Sequence, residues 1–295
     1  MTTASAGNTM ARLARISLTC ADAERLAGFY ERALGFRRFA SERLSGTMFE
    51  KLLHVKGGAL SILLGLGQQI VELLQFDQPG RAYPADTQSS DLIFQHFAIV
   101  VADIDEAYKN LQRVRGWTAI SDASPQRLPA SSGGVSAFKF RDPEGHPLEL
   151  LAFPSGHVPA HWHVREKGAL HLGIDHSAIS VSDSARSIAF YAALGLVVSA
   201  RSLNEGTEQG QLDHLPDPRV NVIAMTPNQA TPHVELLCYE RSRADRREPL
   251  QSHDVATTRL VFQSQVSADA ASIEPLPYRL ADPDGHHLII APATG

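Results

Sequence analysis

One unit is written into this chain several times, and any fold for it has to accommodate the copies. Arg15-Ile16-Ser17-Leu18-Thr19 leads to Asp22, then to Phe29-Tyr30 and Leu34-Gly35-Phe36. His176-Ser177-Ala178-Ile179-Ser180-Val181 leads to Asp183, then to Phe190-Tyr191 and Leu194-Gly195-Leu196. A third start runs from His96-Phe97-Ala98-Ile99-Val100-Val101 to Asp103, seven residues after the leading position as in the other two. Each start predicts the same local structure. Alternating side chains make a strand with two different faces, Asp caps the helix that follows, and Leu-Gly ends it. In the third copy the spacing predicts a helix over 104–114, with Ile104, Ala107, Tyr108 and Leu111 on the stripe that packs against a sheet.

The copies also share an ending. Ile70-Val71-Glu72-Leu73-Leu74, Pro147-Leu148-Glu149-Leu150-Leu151 and Val234-Glu235-Leu236-Leu237 each set one carboxylate inside an apolar strand. A fourth ending, His286-His287-Leu288-Ile289-Ile290, follows Asp282-Pro283-Asp284-Gly285, which matches Asp142-Pro143-Glu144-Gly145 ahead of the second. Pro pre-sets a turn and Gly permits positive φ, so both tetrapeptides predict tight strand-to-strand turns. The fold class is therefore α+β, built from four βαβββ modules at about 12–78, 92–154, 173–241 and 256–292. The fourth is truncated, with little room for a helix between Ser267 and Pro275. Pro- and Gly-rich joints divide the chain into an N-terminal domain, 1–154, a linker, 155–172, and a C-terminal domain, 173–295.

Composition narrows the function classes. A net charge of -5, with Lys and Arg scattered, gives no basic stripe for a phosphate backbone, so no nucleic-acid partner is expected. No window reaches the roughly 18 apolar residues of a membrane span, and the polar N-terminus lacks a leader's apolar core, so a cytoplasmic protein without membrane contact is expected. The two cysteines, Cys20 and Cys238, lie in strand-like runs and read as buried small hydrophobes, not as a disulfide.

A strand-borne His, an Asp seven residues on, a helix with Phe-Tyr and Leu-Gly, and an Asp-Pro-acidic-Gly turn before a Glu-bearing strand resemble the vicinal oxygen chelate superfamily of glyoxalases, bleomycin resistance proteins and extradiol dioxygenases. The resemblance covers nearly the whole chain and implies paired, curled mixed sheets, with a divalent metal in a cleft between two modules. Ligands in that family come from first and last strands. Carried over by position, the first-strand sites are Arg15, His96 and His176, and the last-strand sites are Glu72, Glu149, Glu235 and Ile289. A strand glutamate buried without a compensating cation is costly, and imidazole with carboxylate suits Fe, Zn, Mn, Co or Ni. No nucleotide cofactor is implied.

Two pairings of modules remain open. If neighbours pair, one cleft holds Glu72, His96 and Glu149 with Arg15 in the fourth place. If the second module pairs with the third, as in fused glyoxalase I-like chains, His96, Glu149, His176 and Glu235 meet in one cleft. Economy favours the latter, because every lost ligand then falls in the other cleft. The resemblance implies a lyase or isomerase acting on a small metabolite that chelates one metal ion through two adjacent oxygens, with Glu149 or Glu235 taking the proton. The alternatives are a ring-cleaving dioxygenase and a non-catalytic binding or resistance protein. Ring cleavage is disfavoured because Lys139 stands where that family carries a Tyr, three positions before Asp142. Substrate-binding candidates are Arg15, as an anion anchor or as an ion-pair partner of Glu72, and Gln209, in the polar Asn204–Leu212 stretch that reads as a loop. His157, His161 and His163 read as linker residues. Four modules in one chain can complete their clefts internally, so a monomer or weak homodimer is expected.

Overall fold

The computed structural model describes residues 10–163, 168–229, 232–241, 248–264 and 276–292. The first module supplies β1 (Met10–Thr19), α1 (Ala23–Leu34), β2 (Arg37–Leu44), α2 (Thr47–Leu53), β3 (Ala59–Leu66) and β4 (Gln69–Phe76). The second supplies β5 (Gln95–Val101), α3 (Ile104–Gln112), the short β6 (Thr118–Ala119) and β7 (Gln126–Arg127), β8 (Ser136–Arg141) and β9 (Pro147–Ala152). The third repeats the first as β10 (His171–Ser180), α4 (Ser184–Ala193), β11 (Val197–Glu205), α5 (Thr207–Asp213), β12 (Arg219–Thr226) and β13 (His233–Tyr239). The fourth contributes β14 (Thr258–Ser264), β15 (Tyr278–Ala281) and β16 (His287–Ala291). The expected shortfall of helix in this module lies at 265–275, outside the described residues.

The start signals act locally as their chemistry requires. Asp22, Asp103 and Asp183 each accept a backbone N–H from the first turn of the following helix, and Gly35 ends α1 at φ 71°, a conformation that costs any residue with a Cβ. Leu26, Ala27, Tyr30 and Leu34 bury one stripe of α1 against the sheet. Each large apolar side chain so buried contributes roughly 1.5–3 kcal/mol.

Strand pairing joins modules that are distant in sequence. β1 runs antiparallel to β14, giving a seven-stranded sheet from the first and fourth modules in the order β15-β16-β14-β1-β4-β3-β2. β5 runs antiparallel to β10, giving a nine-stranded sheet from the second and third, with β11-β12-β13-β10-β5-β9-β8-β6 as its path and β7 on β8. Both sheets thus draw strands from either side of the Pro154–Gly173 joint.

The motifs of the repeat latch the two sheets together. Tyr30 of the first module donates its hydroxyl to Asp142 in the second module's turn at 3.1 Å, and Glu144 of that turn accepts the backbone N–H groups of Ala21 and Asp22. The third and fourth modules repeat the device: Tyr191 donates to Asp282 at 3.3 Å and Asp284 accepts from Ser182 N. His146 and His286 complete the turns by reaching backbone carbonyls of Thr19 and Ser180 on the facing sheet. The Phe-Tyr and Asp-Pro-acidic-Gly signatures are therefore two halves of one buried contact, which explains why they recur together.

Candidate metal centre

The central strand pair of the larger sheet sets the geometry. Antiparallel register places His96 opposite Ala178 and His176 opposite Ala98, while parallel register places Glu149 beside Ala98 and Glu235 beside Ala178. The period of two puts these four side chains on one face. A register irregularity between Ile174 and His176 precedes the second imidazole, and β1 has the same irregularity before Arg15. Such bulges bend a strand and re-aim its side chains.

The four groups converge. His96 Nε2 lies 2.8 Å from Glu149 Oε2, and His176 Nε2 lies 3.9 Å from the same oxygen and 3.5 Å from Glu235 Oε2. His96, Glu149 and His176 are buried, whereas the Glu235 side chain is 21% exposed. Asp175 Oδ2 stands 3.1 Å from His176 Nδ1, an arrangement that holds Nδ1 protonated and makes Nε2 the nitrogen a metal would take once its proton is displaced. His233 Nε2 is 3.4 Å from Glu235 Oε1 and its ring lies 5.4 Å from that of His176, so Asp175, His176 and His233 form a second, overlapping cluster.

The charges hold one another in place. Burial alone would raise both glutamates, yet His96, Lys139 and His176 keep Glu149 below its ordinary range, and His176 with His233 holds Glu235 at about 2. Burial would likewise lower His176, but Glu235, Asp175 and Glu149 raise it to about 9. His96 goes the other way, lowered by burial and by Lys139. Lys139 is buried and pairs with Asp213 at 2.6 Å, and Asp213 also accepts from Gln209 Nε2 at 2.7 Å and Tyr239 Oη at 2.9 Å.

His96, Lys139, Glu149, Asp175, His176 and Glu235 line a cavity of about 170 Å³ whose other walls are largely apolar, including Leu128, Leu151, Phe153 and Leu237. The donor atoms of His96, Glu149 and His176 lie within 4.8 Å of one another, a spacing that suits a single divalent ion, and Glu235 joins them through His176. Oxygen and nitrogen ligands about 2.0–2.2 Å from a metal sit roughly 3–4 Å from one another, and the contacts above lie at or near that range. Among the described residues His96 Nδ1 has no hydrogen-bond partner, so His176 is the better oriented of the two imidazoles.

The remaining sequence candidates fall elsewhere. Glu72 lies in the other sheet, so the set Glu72, His96 and Glu149 is not assembled. There Arg15 donates to Glu72 at 3.1 Å and Ser61 at 2.8 Å, which assigns Arg15 the ion-pair role. Gln209 sits on helix α5, not on a loop, because Thr207–Asp213 closes a helical turn that buries Gln209 and Leu212 toward the cavity. His157 and His161 stay outside the cavity, and Cys20 and Cys238 are unbridged. Asp175, His233, Lys139 and Asp213 were not singled out as site residues from sequence. His233 carried a usable signal, since it lies two positions before Glu235 and so shares its strand face. Asp175 is adjacent to His176 but on the opposite alternation, and only the bulge brings it to the site.

The fold and this geometry can be set beside known proteins. Residues 12–150 match the Glyoxalase/Bleomycin resistance protein/Dioxygenase superfamily. That match spans the first two modules, a little under half of the chain. Among solved structures, glyoxalase I from Zea mays is 16% identical with a TM-score of 0.61, covering 96% of this chain and 92% of that one. A putative dioxygenase from Bacillus subtilis is 13% identical with a TM-score of 0.58, covering 98% and 87%. At those identities the likeness shows the fold alone, mixed sheets with few helices. No curated protein sequence matches significantly. No described helix is long and apolar enough to cross a membrane.

Proposed function

We propose that the chain is a metal-dependent, glyoxalase-like lyase or isomerase that moves a proton on a small molecule bearing two adjacent oxygens. The observation that carries this reading is the meeting of His96, Glu149, His176 and Glu235 on one sheet face inside a small cavity. A divalent ion held by these four side chains would supply Lewis-acid polarisation of the substrate's oxygens.

The chain's own residues divide the remaining work. Glu149 is pinned by His96 at 2.8 Å and lies beside Lys139 across the β8–β9 pair, so it is the fixed carboxylate. Glu235 is the more exposed and has longer contacts, at 3.5 Å and 3.4 Å. It is therefore the group with freedom to swing toward a substrate carbon and take its proton. Asp175 holds the His176 ring, the apolar walls exclude water, and Lys139 with Asp213 keeps a cation buried beside the carboxylates.

Metal content of protein purified without chelators, followed by exchange of substrate C–H protons in deuterated water, tests the proposal. The substrates are 2-hydroxy ketones and the thiol adducts of 2-oxoaldehydes, observed by proton NMR. Exchange is expected for at least one class in the metal-loaded protein and is lost in Glu235→Gln. Tight ligand binding without metal or exchange would instead make the chain a sequestering protein.

A further inference from the structure

The sheet of the first and fourth modules copies the metal-centre sheet register for register, with its charges inverted. Ser17 pairs Arg259 and Arg15 pairs Val261, as Ala178 pairs His96 and His176 pairs Ala98. Val261 pairs Ile289 as Ala98 pairs Glu149, and Arg279 faces Ile289 as Lys139 faces Glu149. Helices α2 and α5 align as well, each following a glycine of positive φ, Gly46 or Gly206, and ending on a left-handed histidine, His54 or His214. Arg259 therefore stands in the place of His96, Arg279 in that of Lys139, Ile289 in that of Glu149 and Leu53 in that of Asp213. One ammonium faces three carboxylates in the metal centre: Glu149, Glu235 and Asp213. In the copy Arg15 and Arg259 face Glu72, with Arg279 beside Arg259, and Glu72 is the one carboxylate there among the described residues.

Arg15 is ion-paired with Glu72, and among the described residues neither Arg259 nor Arg279 has a carboxylate within ion-pair distance. They converge on one residue: Arg259 Nη2 donates to the Ser252 carbonyl, and Arg279 Nη1 donates to Ser252 Oγ at 3.1 Å. Arg259 is fully buried with its guanidinium over the Phe76 ring, yet among the described residues its Nε and Nη1 have no hydrogen-bond partner. Burial lowers its pKa to about 10, and together with Arg279 it depresses the buried His287 imidazole to about 3, behind burial itself. A buried guanidinium with two unused donors is a costly arrangement unless something fills it. Arg279 is half-buried and reaches the exposed His54 at 3.2 Å, so the cluster is approachable from the end of α2.

We propose that this second cleft binds a small oxyanion, a carboxylate or a phosphate group, between Arg259 and Arg279. The planar fork of a guanidinium matches either group in two parallel hydrogen bonds. The two clefts would then take opposite ligands, a cation in one and an anion in the other, on a single repeated scaffold.

Thermal unfolding of the full, metal-free chain tests this, with inorganic phosphate and malonate titrated separately against sodium chloride at matched ionic strength. A saturable rise in Tm with either probe is expected, and the more effective probe identifies the source as phosphate or carboxylate. Arg279→Met should raise the half-saturating concentration about tenfold or more, the size of a lost hydrogen bond to a charged group. Arg259→Met should abolish the response, and His176→Ala, in the other cleft, should preserve it. Should Arg259→Met fail to fold, the Arg279→Met comparison still decides. A wild-type response no larger than that to chloride, or an undiminished response in Arg279→Met, overturns the proposal.

Discussion

Replacing His176 by alanine removes the group that lies between both carboxylates, at 3.5 Å from Glu235 and 3.9 Å from Glu149. Its ring is already aimed by Asp175, so nothing has to reorganise for it to act as a ligand. Losing an outer partner of a metal ligand typically costs 10–100-fold in affinity. Losing the ligand itself should weaken divalent-metal binding by at least about tenfold, or ~1.4 kcal/mol. The metal-free variant should also be less stable by about 3 kcal/mol, the lower end for breaking a buried ion pair, since Lys139 and His96 continue to compensate Glu149. Competition titration against a chromogenic chelator measures the first effect and urea unfolding the second, with circular dichroism checking the fold. Glu72→Gln is the control, because Glu72 sits in the other sheet with Arg15 and Ser61 and should be silent for metal. Metal retained in His176→Ala but lost in Glu72→Gln would refute the four-residue site.

Elemental analysis should find one metal per chain, because only one cleft assembles such a donor set among the described residues; two equally occupied sites would sink that reading. Metal uptake near pH 7.5 should release about one proton per ion. In the metal-free protein the raised His176 contributes stability that is complete below its unfolded value near 6.5 and lost as pH rises through about 9. Calorimetry in two buffers of different ionisation enthalpy reads the proton, and buffer-independent heats would contradict it. Lys139→Met should cost about 3–5 kcal/mol in urea unfolding by stranding Asp213, and adding Asp213→Leu, after the pattern of Leu53 in the other half, should recover most of it; additive losses would argue against the pair. Tyr30→Phe should lower stability by about 1–3 kcal/mol and Tyr191→Phe by less, given its longer contact of 3.3 Å to Asp282. Tm values unchanged in both variants would mean that these turns do not latch the sheets.

What the sequence determined by itself is local and periodic. The strands, the Asp caps at Asp22, Asp103 and Asp183, the glycine end of α1 and the two Asp-Pro turns follow from neighbours within a few residues, and repetition amplified each signal. The glutamates at 72, 149 and 235 were legible because a carboxylate interrupts an apolar strand at one repeated point. Tertiary structure alone decided which strands meet. The β1–β14 pair joins residues some 250 positions apart, as the Arg12–Gln263 contact illustrates, and no periodicity encodes that choice. The pairing in turn decided that His96 and His176 face each other, that Glu72 is consumed by Arg15, and that Arg259 inherits a histidine's position. The polar Asn204–Leu212 stretch reads as a loop because its few apolar residues are weak helix evidence, but Leu212 packs inward and Asp213 caps a buried lysine 74 residues away. Side-chain charge is visible in sequence, whereas its partner is a property of the assembled sheet.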